Sequence, residues 1–157
     1  MKSFSALTLA ACAIGLAMPV QADTVRDQIL SGAQFFDSSG CQILSIDFNF
    51  PTRVVAHYPY DKGDELRIEL ATLSISGDAN VDSHRREALN PPKDSEDVLS
   101  GITYEGSAVP RPYLRLTFRH SVVFKVGQGK DFRSVVVAIR QPQGSGVCEP
   151  VYPSNDE

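Results

Sequence analysis

Ile43-Leu44-Ser45-Ile46-Asp47-Phe48-Asn49-Phe50 is the stretch whose reading decides the fold. Leu44, Ile46, Phe48 and Phe50 alternate with Ser45, Asp47 and Asn49. Successive side chains of a strand point to opposite faces, so this period of two predicts a strand with one buried face. Pro51 stops it. The same pattern recurs downstream. Arg53–Tyr58 is β-branched and aromatic, Leu66, Ile68 and Leu70 alternate with Glu65, Arg67 and Glu69, and Ile102 with Tyr104 predicts a short strand. Leu114, Leu116 and Phe118 alternate with Arg115 and Thr117; Val122, Phe124 and Val126 with Val123 and Lys125; Val135, Val137 and Ile139 with Ser134, Val136 and Ala138. Asp61-Lys62-Gly63 and Gly127-Gln128-Gly129-Lys130 have the chemistry of turns.

Two triplets echo each other: strand, strand, glycine turn, strand. Ile46-Asp47-Phe48 matches Leu116-Thr117-Phe118, Val54-Val55 matches Val122-Val123, and Gly63 matches Gly129. A three-stranded unit with one apolar face gains stability by packing that face on another. The expected fold is therefore all-β, a sandwich of two small antiparallel sheets from a duplicated three-stranded unit. Between the triplets, 77–100 is polar and charged and holds Asn90-Pro91-Pro92; it reads as a long surface insert in which Arg85–Leu89 has the pattern of one helical turn.

Upstream, Val25, Ile29, Leu30 and Ala33 have roughly helical spacing, interrupted by Ser31-Gly32 and Ser38-Ser39-Gly40, so residues 23–40 are expected as a short helix or an ordered arm. Before them, Lys2, an apolar run from Phe4 to Val20 and a Val20-Gln21-Ala22 site form the three parts of a secretion signal over residues 1–22. The run is short of the ~20 apolar residues that a span requires. Leu9-Ala10-Ala11-Cys12 offers lipid attachment at Cys12 as a minor alternative to a freely periplasmic protein, although the stretch after Cys12 is apolar where a tether is usually polar. Cleavage after Ala22 would leave Cys41 and Cys148, which read as one disulfide in an oxidising compartment. The domain would then run over 41–148, with a loose tail over 149–157.

The 157 residues carry a formal charge of −4, or −5 without Lys2, which is not the footprint of a nucleic-acid binder. His57, His84 and His120 lack metal-ligand spacing, and neither H-E-x-x-H nor C-x-x-C occurs. There is no G-x-S-x-G elbow or P-loop, and the G-x-G at Gly127 joins two strands without a helix after it. No cofactor is expected, and a non-catalytic role fits better than an enzymatic one. Arg67 and Arg115 fall on the face opposite the apolar one, Arg133 begins a strand, and Tyr58 and Tyr60 precede the Gly63 turn. Guanidinium forks take carboxylates and tyrosine rings take sugar or peptide planes, so these five residues are the candidate ligand-binding set. The ordinary reading is a solvated face with cross-strand ion pairs.

The stretch from Cys41 to Ile139 resembles the AMIN domain, a periplasmic module of two symmetry-related three-stranded sheets. The resemblance rests on 43–70 and 113–139. Leu66-Arg67-Ile68-Glu69-Leu70 matches the family's third strand with Glu69 in the acid's place, and Arg133 precedes Val135-Val136-Val137-Ala138-Ile139 in the second copy, with Ala138 in that place. The family's Pro-x-Arg is replaced by Gly63-Asp64-Glu65 in the first copy, and the 77–100 insert is additional. The resemblance implies envelope localisation and non-catalytic binding of peptidoglycan or of an envelope protein partner. The alternative is a small secreted inhibitor or chaperone-like protein acting through a sheet edge.

Overall fold

The computed structural model describes residues 28–73, 83–141 and 147–150. The signal region, Cys12 and the tail beyond Pro150 lie outside the described residues. Eight strands follow in order: β1 (Leu30–Ser38), β2 (Cys41–Phe48), β3 (Thr52–Tyr58), β4 (Lys62–Thr72), β5 (Arg86–Leu89), β6 (Leu99–Glu105), β7 (Tyr113–Gln128) and β8 (Ser134–Arg140). One 3₁₀ turn, Lys93–Ser95, stands before β6. Every pairing is antiparallel.

The strands form two sheets that share β7. One runs β1-β2-β8-β7, and the other β3-β4-β7-β6-β5. The sharing explains the length of β7. Tyr113–Phe118 pair with β6, Phe124–Gln128 pair with β8, and Arg119, His120 and Ser121 between them are all exposed. β4 pairs with β7 on both sides of this stretch, Glu65–Glu69 with Tyr113–Thr117 and Lys62 and Gly63 with Val123 and Val122, and the register shifts between the two. Sequence periodicity separates Leu114–Phe118 from Val122–Val126; in the structure both belong to this one bent strand.

The two sequence triplets interleave. β2 of the first pairs with β8 of the second, while β3 and β4 pair in the sheet that holds the first half of β7. Gly129 sits in the β7–β8 turn, where a Cβ would come within 1.8 Å of Ser134 Oγ, whereas Gly63 lies inside β4. Of the lead-in, expected as a short helix or an ordered arm, the described part is ordered as strand and is not a helix. Residues 30–38 are β1, joined to β2 by Ser39-Gly40, both at positive φ as a tight two-residue hairpin requires. Within the insert, the expected helical turn is strand instead: Arg86–Leu89 form β5 and pair with β6. Local propensity over so few residues yields to the ladder partner beside it.

The core fills the space between the sheets. Ile46, Phe48, Val135 and Val137 from one face Leu66, Ile68, Ile102, Leu114 and Leu116 from the other, all buried. Phe48, Phe50 and Tyr104 close one end as mutually tilted rings 6.1 to 6.5 Å apart. Two side chains clasp the sheets where ladders do not. The Glu87 carboxylate of β5 accepts the N–H groups of Ile29 and Leu30, each at 2.9 Å. Gln128 of β7 accepts from Val54 N at 2.7 Å and donates to the Thr52 and Ser134 carbonyls at 3.1 and 3.0 Å. These bonds give partners to the N–H groups of Ile29, Leu30 and Val54 at the sheet margins, while the Ser134 carbonyl also accepts from Gly129 N at 2.8 Å.

A second, smaller core lies on the outer side of the first sheet. Ile43, Val136 and Ala138 pack there with Cys41, Cys148 and Phe36. The Cys41–Cys148 disulfide, spanning 107 residues, holds the segment 147–150 across this face as a strap. β8 is thus buried on both sides, and Val135–Ile139 is an unbroken buried run.

Candidate binding face and cleft

Among the described residues, no segment covers the outer side of the β3-β4-β7-β6-β5 sheet. Its register lines up residues from five strands in one row: Ala88 opposite Thr103, Thr103 opposite Arg115, Arg115 opposite Arg67, and Arg67 opposite Tyr58. The adjacent row is Arg86, Glu105, Tyr113, Glu69 and Ala56. Two arginines directly opposite on one face repel each other. Neighbouring groups compensate unequally. Glu105 Oε1 accepts from Arg115 Nη2 and lies 3.1 Å from both Arg115 and Arg86 Nε. Arg67 has no ion-pair partner among the described residues; its guanidinium carbon sits 3.9 Å above the Tyr113 ring centroid. Stacking leaves the N–H edges of a guanidinium free to donate in its own plane. Tyr58, at the end of the row, is 77 % exposed.

The register therefore brings together three of the five sequence candidates: Arg67, Arg115 and Tyr58. Arg133 is elsewhere. Its Nη1 donates to the Asn49 carbonyl at 2.9 Å and its backbone N–H to Asp131 Oδ1 at 2.9 Å, tying the β2–β3 and β7–β8 connections together. Tyr60 is also apart, stacked on His57 with centroids 5.9 Å apart and 19° between planes. Sequence reasoning missed Tyr113, Arg86 and Glu105. The alternation that turns Arg115 outward does the same for Tyr113, but which residues lie opposite it depends on register.

Tyr60 and His57 instead border a cleft of about 380 Å³. Its floor is Val123–Val126 of β7 with Ala138 and Arg140 of β8; the β3–β4 turn and the strap are its walls. His57 Nδ1–H donates to the Pro59 carbonyl at 3.1 Å, and the ring meets Phe124 edge-on at 6.5 Å. Lys125 Nζ pairs with Glu149 of the strap.

The two groups with clearly shifted ionisation lie outside both places. Burial pushes the Tyr104 phenol up to about 12, and its hydroxyl donates to the Ser83 carbonyl at 3.0 Å. Asp47 is raised, chiefly by burial and further by Asp131, against the lowering effect of Ser45. Among the described residues no three His, Cys, Asp or Glu side chains gather as a metal site needs, and no helix is long and apolar enough to cross a membrane. No family model matches the chain, and neither a curated protein nor a solved structure matches it.

Proposed function

We propose that this is an exported, non-catalytic binding module of the cell envelope, acting on peptidoglycan or on an envelope protein partner through the bare outer face. The observation that carries the reading is the Arg115–Arg67–Tyr58 row. Two guanidinium groups stand in register, and Arg67 is presented by Tyr113 without an acidic partner among the described residues. A carboxylate placed between them would relieve their repulsion and take both as forks. Peptidoglycan stem peptides supply such carboxylates beside sugar and peptide planes that suit Tyr58. The Cys41–Cys148 bond supports an oxidising compartment, hence the periplasm. The acidic net charge disfavours nucleic acid as the partner.

The test is co-sedimentation of the protein with purified sacculi at low and moderate salt. Saturable binding that weakens with salt, and that falls about tenfold or more in Arg67→Ala and Arg115→Ala, is the expected result. No binding at either salt concentration overturns the wall-binding form and directs the search to an envelope protein.

A further inference from the structure

The cleft beside the disulfide differs from the arginine face in its charges. Two of its four charged side chains, Lys125 and Glu149, neutralise each other. The other two do not: neither the Arg140 guanidinium nor the Asp61 carboxylate has a hydrogen bond or ion pair among the described residues. They stand on opposite flanks of β7. The Asp61 carbonyl accepts from Phe124 N at 2.8 Å on one side, and Arg140 follows Ile139, the β8 residue opposite Phe124, on the other. Two strand spacings separate their backbones, about 10 Å. Between them the cleft has 380 Å³, within the ordinary range for small-ligand sites. Tyr60 is 82 % exposed and held flat by His57, which leaves a ring face without a partner.

These charges select a class of ligand. An apolar ligand would strip water from Arg140 and Asp61 and give nothing back. A polyanion gains no net field, because Lys125 and Arg140 are matched by Asp61 and Glu149. A molecule carrying one carboxylate and one ammonium satisfies both open groups at once. We propose that this cleft is a binding site for a zwitterionic ligand, a short free peptide: its carboxylate on Arg140, its ammonium on Asp61 and its body against Tyr60. The site is separate from the arginine face and stands independently of the function proposed for that face. The strap forms one wall. Pro150 lies over Gly127 so closely that a Cβ there would come within 2.7 Å of Pro150 Cβ, so Gly127→Ala displaces that wall without altering a charge.

The experiment is an NMR-monitored titration of the isotopically labelled protein with alanyl-alanine, with N-acetyl-alanyl-alanine and with alanyl-alanine amide. The free dipeptide should give saturable shifts at Tyr60, Asp61, Lys125 and Arg140, and each blocked derivative should bind about tenfold or more weakly. Arg140→Gln should abolish the preference for the free carboxylate, Asp61→Asn the preference for the free ammonium, and Gly127→Ala should weaken the free dipeptide. Arg67→Ala should leave all of this unchanged. Equal affinity for the three probes, saturable shifts located elsewhere, or none below about 10 mM overturns the proposal.

Discussion

The two sheets share a strand and a core, yet their outer faces have opposite fates. On the β1-β2-β8-β7 sheet the outer side is apolar, and a disulfide-held strap covers Ile43, Val136 and Ala138. On the other sheet the corresponding side shows Arg67, Tyr113, Arg115 and Thr117, with no strap over them among the described residues. The covered face is a second core that exists because one covalent bond brings 147–150 back. The bare face is polar, and no segment among the described residues covers it. A small domain of this size draws stability from the first arrangement and has surface for recognition in the second.

Removing the clasp tests the covered face most severely. Cys41→Ser with Cys148→Ser should cost about 3–5 kcal/mol, because a loop of 107 residues is no longer closed in the unfolded chain and the strap no longer shields Val136. Urea unfolding with and without reductant measures it. A loss below about 1 kcal/mol would mean that the unfolded chain gains little freedom when the loop is opened.

The second break is at the seam between the sheets. The Glu87 side chain bonds both Ile29 N and Leu30 N, and Ile29 is fully buried. Glu87→Ala leaves two backbone donors unpaired and should cost about 3 kcal/mol. Glu87→Gln, which keeps an acceptor without the charge, should cost about half of that. Equal effects of the two would mean that the single accepting oxygen of glutamine restores neither bond.

These elements were not equally legible in the chain. Strict alternation in 44–50, 66–70 and 114–118 disclosed the strands and their inward faces, because one side of each is wet or polar. The outer side of β8 is apolar as well, and nothing in Val135–Ile139 distinguishes which face a strap will cover. β1 was obscured by Ser31-Gly32 and Ser38-Ser39-Gly40. Those residues mark an irregular register near Gly32 and a tight hairpin at Ser39-Gly40, not the end of order. β5 is four residues long, too short for any period to show. The disulfide followed from counting cysteines, whereas the Glu87 and Gln128 clasps depend on long-range geometry and leave no local signal. At the arginine face, alternation identified Arg67 and Arg115 as outward; that they meet each other, with Tyr58 beside them, is a matter of register.

A reciprocal exchange sharpens the contrast between the faces. Val136 points outward and is fully buried; Thr117 also points outward and is exposed. Val136→Thr puts a hydroxyl under the strap without a partner and should cost about 1–3 kcal/mol. Thr117→Val should stay within about 0.5 kcal/mol of zero, since β-branching is kept and no buried group changes. Similar values for the two, read from the same denaturation series, would mean that the strap does not exclude water from Val136.

The smallest effect concerns the charges on the bare face, where sign matters more than size. Arg67 gains from stacking on Tyr113 and loses from standing opposite Arg115. Each contribution is under about 1 kcal/mol at an exposed site, so Arg67→Gln should move stability by less than about 0.5 kcal/mol in low salt. Salt separates the two contributions, because repulsion between exposed charges is screened while stacking contact is largely retained. Raising ionic strength should therefore stabilise the parent protein relative to Arg67→Gln. A relative loss on adding salt would mean that the acidic neighbours Glu65 and Glu69 outweigh Arg115 in the field at Arg67. The guanidinium would then be an internally satisfied surface group, and the face would lose its reason to recruit a carboxylate from outside.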